Sequence, residues 1–239
     1  MPESVVLLHG FSGTRRAWDG VVGRLDPERY SPLALDLLGH GEAADAPRPI
    51  TFAGAAEHVL GASPARFTLC GYSLGGRVAL HVALAAPERV RRLVLVGANP
   101  GIEDEAERAE RRRSDRRLAD ELERAPFEQF IERWRTQPLF AGEPPEAGAL
   151  AREDQRRNRP HALAAVLRGL GTGEMVPLWN RLSDLEMPVT VLVGERDAKF
   201  QALGGRMVEL LPDGELVVEP GGHGLPLENP AAVARALSR

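Results

Sequence analysis

The chain has only one cysteine, Cys70, and one lysine, Lys199; every other cationic side chain is an arginine. A single cysteine excludes an intrachain disulfide and a thiolate metal cluster. No apolar run approaches the ~18 residues of a membrane span, and no basic signal region precedes the first strand-like segment. The net charge of −4 offers no electrostatic case for nucleic acid or an anionic membrane surface. We therefore expect a cytoplasmic protein with no nucleic-acid partner and no membrane partner.

The most informative stretch is Phe67–Leu80, where a strand-like run meets Gly71-Tyr-Ser-Leu-Gly75 and passes at once into apolar residues at helical spacing. This strand, sharp turn and helix is the context of a nucleophile elbow. Glycine suits both flanking positions because strand and helix approach too closely there for side chains. Ser73 would then lie at a helix N-terminus, where free N–H groups favour negative charge. A serine N-cap in a glycine-rich turn is the alternative for this motif taken alone.

Strand-like and helix-like segments alternate through residues 1–98 and again through 176–239, which is typical of a doubly wound, mostly parallel sheet flanked by helices. Residues 99–175 show helical patterns only. The sequence thus predicts an α/β core in two parts, 1–98 and 176–239, with an all-helical cap insertion at 99–175 over the carboxyl edge of the strands. The predicted strands are 4–9, 30–36, 67–70, 92–97, 188–194 and 215–219. The helices predicted in the cap are 103–124, 126–135, 147–157 and 160–171, and a helix at 200–211 follows the fifth strand.

Partners for Ser73 are expected further along the chain, since α/β-hydrolases place an acid and then a histidine on later loops at the same sheet edge. The loop after strand 188–194 carries Glu195 and Asp197, and the loop after strand 215–219 carries His223 between glycines. A serine hydroxyl is inert until an imidazole can take its proton and a carboxylate fixes the imidazole tautomer. Glu195 and Asp197 compete for the acid role; Asp197 is preferred because it lies farther into the loop.

An oxyanion site is predicted from His9-Gly-Phe-Ser-Gly13, which follows the first strand. The amide of Leu74, directly after the nucleophile, and the amide of Phe11 should converge on one oxygen. The alternative is that this segment is only a tight turn, but its position after the first strand is where this fold keeps its second donor.

With these residues in place, the chain resembles the α/β-hydrolase superfamily over essentially its full length. More narrowly, it resembles the 2-succinyl-6-hydroxy-2,4-cyclohexadiene-1-carboxylate (SHCHC) synthase family of menaquinone biosynthesis. The segments that carry the resemblance are 8–13, 71–79, 106–115, Trp134 with 137–140, 167–173 and 194–200. The first two are widespread among serine hydrolases, whereas those in the cap are specific.

The resemblance implies a lyase that eliminates pyruvate from 2-succinyl-5-enolpyruvyl-6-hydroxy-3-cyclohexene-1-carboxylate, a small tricarboxylate. Arginine binds carboxylates bidentately, which suits such a substrate. The substrate-binding residues implied by the family are Tyr72, Arg77, Arg111, Trp134 and Lys199. A further arginine from the later part of the cap stays open between Arg156, Arg157 and Arg168. Most of the other cap arginines are expected to form a solvated helix face.

The resulting hypothesis is that Ser73, activated by His223 and Asp197, acts as the base that removes a ring proton, with no metal and no organic cofactor. One alternative keeps the triad and makes the protein a carboxylesterase or thioesterase that forms an acyl-serine intermediate. A second alternative is a ligand-binding relative that retains the site without turnover. The triad by itself does not separate lyase from esterase, and the sequence leaves the oligomeric state and cap motion open.

Overall fold

The computed structural model describes residues 2–239. Its six strands pair in parallel in the order β2-β1-β3-β4-β5-β6. The strands are β1 Glu3–Leu8, β2 Tyr30–Leu35, β3 Phe67–Tyr72, β4 Val90–Val96, β5 Val189–Gly194 and β6 Gly214–Glu219. Continuous apolar runs such as Val189–Gly194 are buried on both faces, as parallel strands between helices require.

Within residues 2–239, ten α-helices connect or cover these strands. They are α1 Asp19–Val22, α2 Phe52–Ala62, α3 Leu74–Ala85, α4 Glu105–Arg124, α5 Phe127–Arg135, α6 Pro145–Gln155, α7 Pro160–Leu170, α8 Ala198–Val208, α9 Leu225–Glu228 and α10 Pro230–Leu237. Short 3₁₀ turns complete the described chain. Within residues 2–239, no helix is both long enough and apolar enough to cross a membrane.

The sheet separates two apolar cores because successive side chains of a strand point to opposite faces. Val6 and Leu8 of β1 pack in the core that contains α2, α3 and α8. Val5 and Leu7 pack in the other core, with Trp18 and α10. Helices therefore cover both faces, and the doubly wound arrangement predicted from the sequence is confirmed.

Between β4 and β5 the described chain is helical without a strand, and α4 to α7 pack into a layer of their own. Their apolar faces form a small core from Leu122, Phe130, Ile131 and Leu163. The charged residues of α4 mostly face solvent. Phe11, in the loop after β1, packs against this cluster. The helical layer therefore lies over the loops at the carboxyl ends of the strands.

Candidate active site

The turn between β3 and α3 holds Ser73 with φ 51° and ψ −107°. A positive φ is costly for a residue that has a side chain, so this turn is strained. A Cβ on Gly71 would lie 2.3 Å from the carbonyl oxygen of Gly75, and a Cβ on Gly75 would lie 2.1 Å from that of Leu8. Only glycine fits at these two positions. The close packing of strand against helix thereby holds the serine at the sheet edge.

Three side chains from the ends of three strands meet at this edge. His223 Nε2 lies 3.2 Å from Ser73 Oγ, and His223 Nδ1 lies 2.7 Å from Asp197 Oδ2. Asp197 and His223 are buried, whereas Glu195 is exposed and does not contact the imidazole. Because a carboxylate can only accept, Nδ1 carries the proton and Nε2 is left to accept the serine hydroxyl. This arrangement can take a proton from Ser73 and return it.

The loop that carries His223 is held by Glu228, a residue that the sequence analysis missed. Its side chain is buried; Oε2 accepts the amide of Gly222 at 2.8 Å and Oε1 accepts the amide of Gly224 at 3.1 Å. The same carboxylate pairs with Arg196, which is adjacent to the acid of the triad. Glu228 therefore ties the two partner loops together. No local pattern signals this role, because its partners are main-chain amides.

The two predicted oxyanion donors lie beside the serine. Leu74 begins α3, and Phe11 lies in the loop after β1; both residues line the same cavity as Ser73. Within residues 2–239, neither amide has a hydrogen-bond acceptor. Free N–H groups at such a site can bind a developing oxyanion in a preorganised way. We assign the oxyanion donors to these two residues as an interpretation of this arrangement.

The cavity above Ser73 is strongly cationic. Arg77, Arg111 and Lys199 line it, and its lining residues within 2–239 include no Asp or Glu. The rest of its wall is largely apolar and comprises Phe11, Leu74, Trp134, Leu139, Val166, Leu167, Leu170 and Phe200, with Asn99 and Thr172 as neutral polar groups. Three cations above a serine and an imidazole favour an anionic ligand.

Arg77 is the most buried of these cations, with 8% of its surface exposed. Its Nη1 donates to the carbonyl oxygen of Leu170 at 2.6 Å, and within residues 2–239 it has no carboxylate partner. Burial, together with the neighbouring charge of Arg111, lowers the pKa of Arg77 to about 9. The guanidinium is thus still charged at neutral pH. A substrate carboxylate bound to it would offset the energetic cost of burying this charge.

Arg111 and Lys199 reach the cavity from two different helices, α4 of the cap and α8. Arg111 Nε donates to Asp115 Oδ1 at 2.8 Å, an i,i+4 pair that leaves the other guanidinium nitrogens for a ligand. Lys199, at the start of α8, forms no ion pair within residues 2–239. Trp134 closes the wall from the cap, with its ring centroid 5.0 Å from that of Phe11. The sequence resemblance thus pointed to four residues that the fold brings around one cavity.

Comparisons with known proteins identify the family of this chain. Residues 5–236 match the family model described as the alpha/beta hydrolase family. The chain is 34% identical to a 2-succinyl-6-hydroxy-2,4-cyclohexadiene-1-carboxylate synthase of Salmonella schwarzengrund, over 99% of this chain and 92% of that protein. It superimposes on the structure of MenH from S. aureus with a TM-score of 0.90 and 30% identity, covering 99% and 92% of the two chains.

This chain belongs to the SHCHC synthase family of α/β-hydrolases. The predicted fold class and family are confirmed. A more distant likeness is to a thermophilic esterase from Thermogutta terrifontis, with a TM-score of 0.81 and 26% identity over the whole of this chain and 89% of that one. The SHCHC synthase family is therefore a better match than this esterase in both sequence and structure.

The other residues implied by the SHCHC synthase family lie away from the cavity. The ring of Tyr72 packs 5.4 Å from that of His223 and faces a smaller cavity on the other side of Phe11, not the one above Ser73. Each of the three candidate arginines of the later cap lies in a surface ion pair: Arg156 with Glu128, Arg157 with Glu153, and Arg168 with Asp120 and Glu123. None of the three lines the cavity.

Two buried histidines support the oxyanion loop. His9 Nε2 accepts the amide of Leu37 at 3.1 Å, and His40 Nε2 accepts the amide of Ser12 at 3.2 Å. Burial lowers the pKa of both imidazoles, most strongly that of His40. Both rings therefore stay neutral, as an acceptor of an amide N–H must. In this member of the SHCHC synthase family they hold loops and do not reach the cavity.

Proposed function

We propose that this protein eliminates pyruvate from 2-succinyl-5-enolpyruvyl-6-hydroxy-3-cyclohexene-1-carboxylate to give 2-succinyl-6-hydroxy-2,4-cyclohexadiene-1-carboxylate, a step of menaquinone biosynthesis. The observation that carries this proposal is the composition of the cavity. A serine that is hydrogen-bonded to a buried imidazole lies there beside Arg77, Arg111 and Lys199. Among the described residues, no carboxylate lines the cavity. The relatives with this name, at 34% identity over 99% of the chain, support the same reaction.

The first step is removal of the ring proton next to the succinyl ketone. Ser73 Oγ takes this proton while its own proton passes to His223 Nε2, 3.2 Å away, and Asp197 stabilises the imidazolium. The electron pair left on the ring carbon delocalises onto the ketone oxygen. The amides of Phe11 and Leu74 bind that oxyanion.

The second step is loss of the enolpyruvyl group. The electron pair returns through the ring double bond, which shifts to form the conjugated diene, and the ring C–O bond breaks. The departing oxygen takes the proton held by His223, so that pyruvate leaves in its enol form and the triad is reset. This sequence makes Ser73 a base and forms no acyl-serine, which is the difference from the esterase alternative.

The cations position the substrate by its three carboxylates. Arg77 and Arg111 can bind carboxylates through paired N–H groups, whereas Lys199 supplies a point charge. Trp134 closes the apolar part of the cavity over the ring. Tyr72 then serves as packing for the His223 ring, from behind the nucleophile. We propose no metal and no cofactor, because proton transfer and oxyanion binding account for the chemistry.

The proposal also assigns roles to the two parts of the chain and a cellular compartment to the reaction. Residues 2–98 and 176–239 form the catalytic core, and residues 99–175 form the cap that supplies Arg111 and Trp134. We place the reaction in the cytoplasm, since a tricarboxylate does not cross a bilayer unaided. The partner required is the small-molecule substrate.

The decisive experiment is a coupled assay for pyruvate with the cyclohexene substrate, run for the wild type and for Ser73→Ala. We expect kcat to fall by roughly 10²–10⁴-fold in the variant, which is the usual contribution of a general base, with an unchanged circular dichroism spectrum. Wild-type turnover in Ser73→Ala would refute the mechanism. A parallel panel of p-nitrophenyl esters tests the alternative, because an acyl-enzyme burst without pyruvate release would favour an esterase.

A further inference from the structure

Ser12, the residue after the oxyanion donor Phe11, has φ 62°, a conformation that strains any residue with a Cβ. All three of its polar groups are hydrogen-bonded across long sequence separations. Its amide donates to His40 Nε2 at 3.2 Å, its carbonyl oxygen accepts from Asn158 Nδ2 at 2.8 Å, and its hydroxyl accepts from Gln155 Nε2 at 2.8 Å. Two of the three partners belong to the cap.

The same end of α6 also binds the next part of the loop. Asp154, adjacent to Gln155, accepts the amide of Thr14 on Oδ2 at 2.7 Å and the hydroxyl of Thr14 on Oδ1. Asp154, Gln155 and Asn158 are all buried. The end of one cap helix is thus bonded at two points to the loop that carries Phe11.

We propose that Asn158 and Gln155 are positioning residues that hold Ser12 in its left-handed conformation and thereby aim the Phe11 amide at the oxyanion. This inference rests on the proposed function, in which Phe11 is an oxyanion donor. A left-handed serine relaxes unless its surroundings hold it. Small displacements of a preorganised donor lower turnover, because such a donor acts only when it is correctly placed.

A purely structural role, in which these contacts only attach the cap, predicts a different outcome. Loss of attachment would lower stability or raise KM, since the cap supplies substrate contacts. Loss of oxyanion geometry lowers kcat with little change in KM, because the interaction forms only in the transition state. The two roles can therefore be separated kinetically.

The test is Asn158→Ala measured in two backgrounds, wild type and Ser12→Gly, by pyruvate release. Asn158 donates to the main chain of Ser12, so its bond survives replacement by glycine, while glycine adopts φ 62° without strain. We expect about a tenfold loss of kcat in the wild-type background, with KM within about twofold, and at most about a threefold loss in the Ser12→Gly background. Glu153→Ala, on the exposed side of α6, is the matched control and should keep wild-type kinetics.

Wild-type kcat in folded Asn158→Ala, or an equal loss in both backgrounds, overturns the inference. Asn158 also accepts the amide of Gly41, so the variant could fail to fold. Gln155→Met then decides, because it removes only the bond to the Ser12 hydroxyl: a lower kcat at unchanged KM supports the inference, and wild-type kcat overturns it. Absence of pyruvate release by the wild type would instead refute the proposed function, and the same variants would then be compared by ester hydrolysis.

Discussion

At the scale of single residues, Arg77 combines burial with the absence of a carboxylate partner in the described chain. We expect Arg77→Met to raise KM for the tricarboxylate by roughly 10- to 100-fold, since a hydrogen bond to a charged group contributes about 1.5–3 kcal/mol. The free energy of unfolding should change by less than about 1 kcal/mol, because removing a buried charge offsets the lost bond to Leu170. Steady-state kinetics and urea unfolding measure the two quantities.

The matched control for that substitution is Arg113→Met. Arg113 lies on α4 and pairs with Glu110 at the surface, where an ion pair contributes little. Its KM should equal that of the wild type. If Arg77→Met also left KM unchanged, Arg77 would not bind substrate; if it lowered stability by several kcal/mol at unchanged KM, its role would be structural.

Among the residues of the site, those placed by topology were predictable and those placed by long-range packing were not. Ser73, Asp197 and His223 each follow a strand, and parallel strands bring such positions to one edge. Glu228 and Gln155 have no such signal, because each bonds a loop that only the completed fold brings near.

The cavity arginines were only partly predictable from the sequence. Periodicity could not single out Arg111 from a run of arginines on α4, and the resemblance alone selected it. Tyr72 was expected to bind substrate because the resemblance implied it, but its ring packs against that of His223 and does not line the cavity above Ser73.

At the scale of elements, the close approach of α3 to the strands β1 and β3 depends on glycine. A Cβ at Gly75 would approach the main chain of Leu8 to 2.1 Å, and no flexible side chain is there to yield. We expect Gly75→Ala to lower the free energy of unfolding by about 2 kcal/mol or more, since overpacking forces backbone shifts. Urea unfolding followed by circular dichroism gives the value.

A second helical glycine provides the control. Gly205 lies within α8 and has nothing within 4 Å of the position of an added Cβ. Gly205→Ala should stabilise the protein by roughly 0.5–1 kcal/mol, because alanine loses less backbone entropy in a helix. Equal effects of the two substitutions would mean that close packing at the elbow is not what requires glycine.

Element boundaries show where local pattern is sufficient. The long helices of the cap were predicted to within about two residues, because their caps and prolines are local signals. The start of α8 was placed too late, at 200 instead of Ala198. Asp197 explains the difference, since it is the N-cap of α8 as well as the carboxylate bound to His223. One residue there serves the helix and the site together.

At the scale of the whole molecule, charge is divided between surface and cavity. The chain has a net charge of −4, yet the cavity above Ser73 is cationic. Surface arginines such as Arg168 are neutralised by carboxylates, whereas Arg77 is not. The amino-acid composition gives only the net charge of the whole chain and not where the charges lie. The binding of an anionic substrate could therefore not be derived from the net charge.

Stability should depend on pH through the buried histidines. The folded protein holds the pKa of His40 well below its usual value of about 6.5 because the ring is buried and lies beside His9. In the unfolded chain the same imidazole binds a proton below that value. The unfolded state then carries more protons than the folded state, so the free energy of unfolding falls as pH falls below about 6.5, until the folded pKa is reached.

We expect the free energy of unfolding of the wild type to fall by roughly 1 kcal/mol between pH 7.5 and 5.5, the order of magnitude set by one imidazole that stays neutral when folded. His40→Gln, which keeps an acceptor for the amide of Ser12 and cannot titrate, should be less stable at pH 7.5 but lose roughly 1 kcal/mol less over that interval. His161→Gln, at an exposed position, should retain the wild-type dependence. Urea unfolding at both pH values measures each difference, and an unchanged pH dependence in His40→Gln would show that His40 is not held neutral in the folded protein.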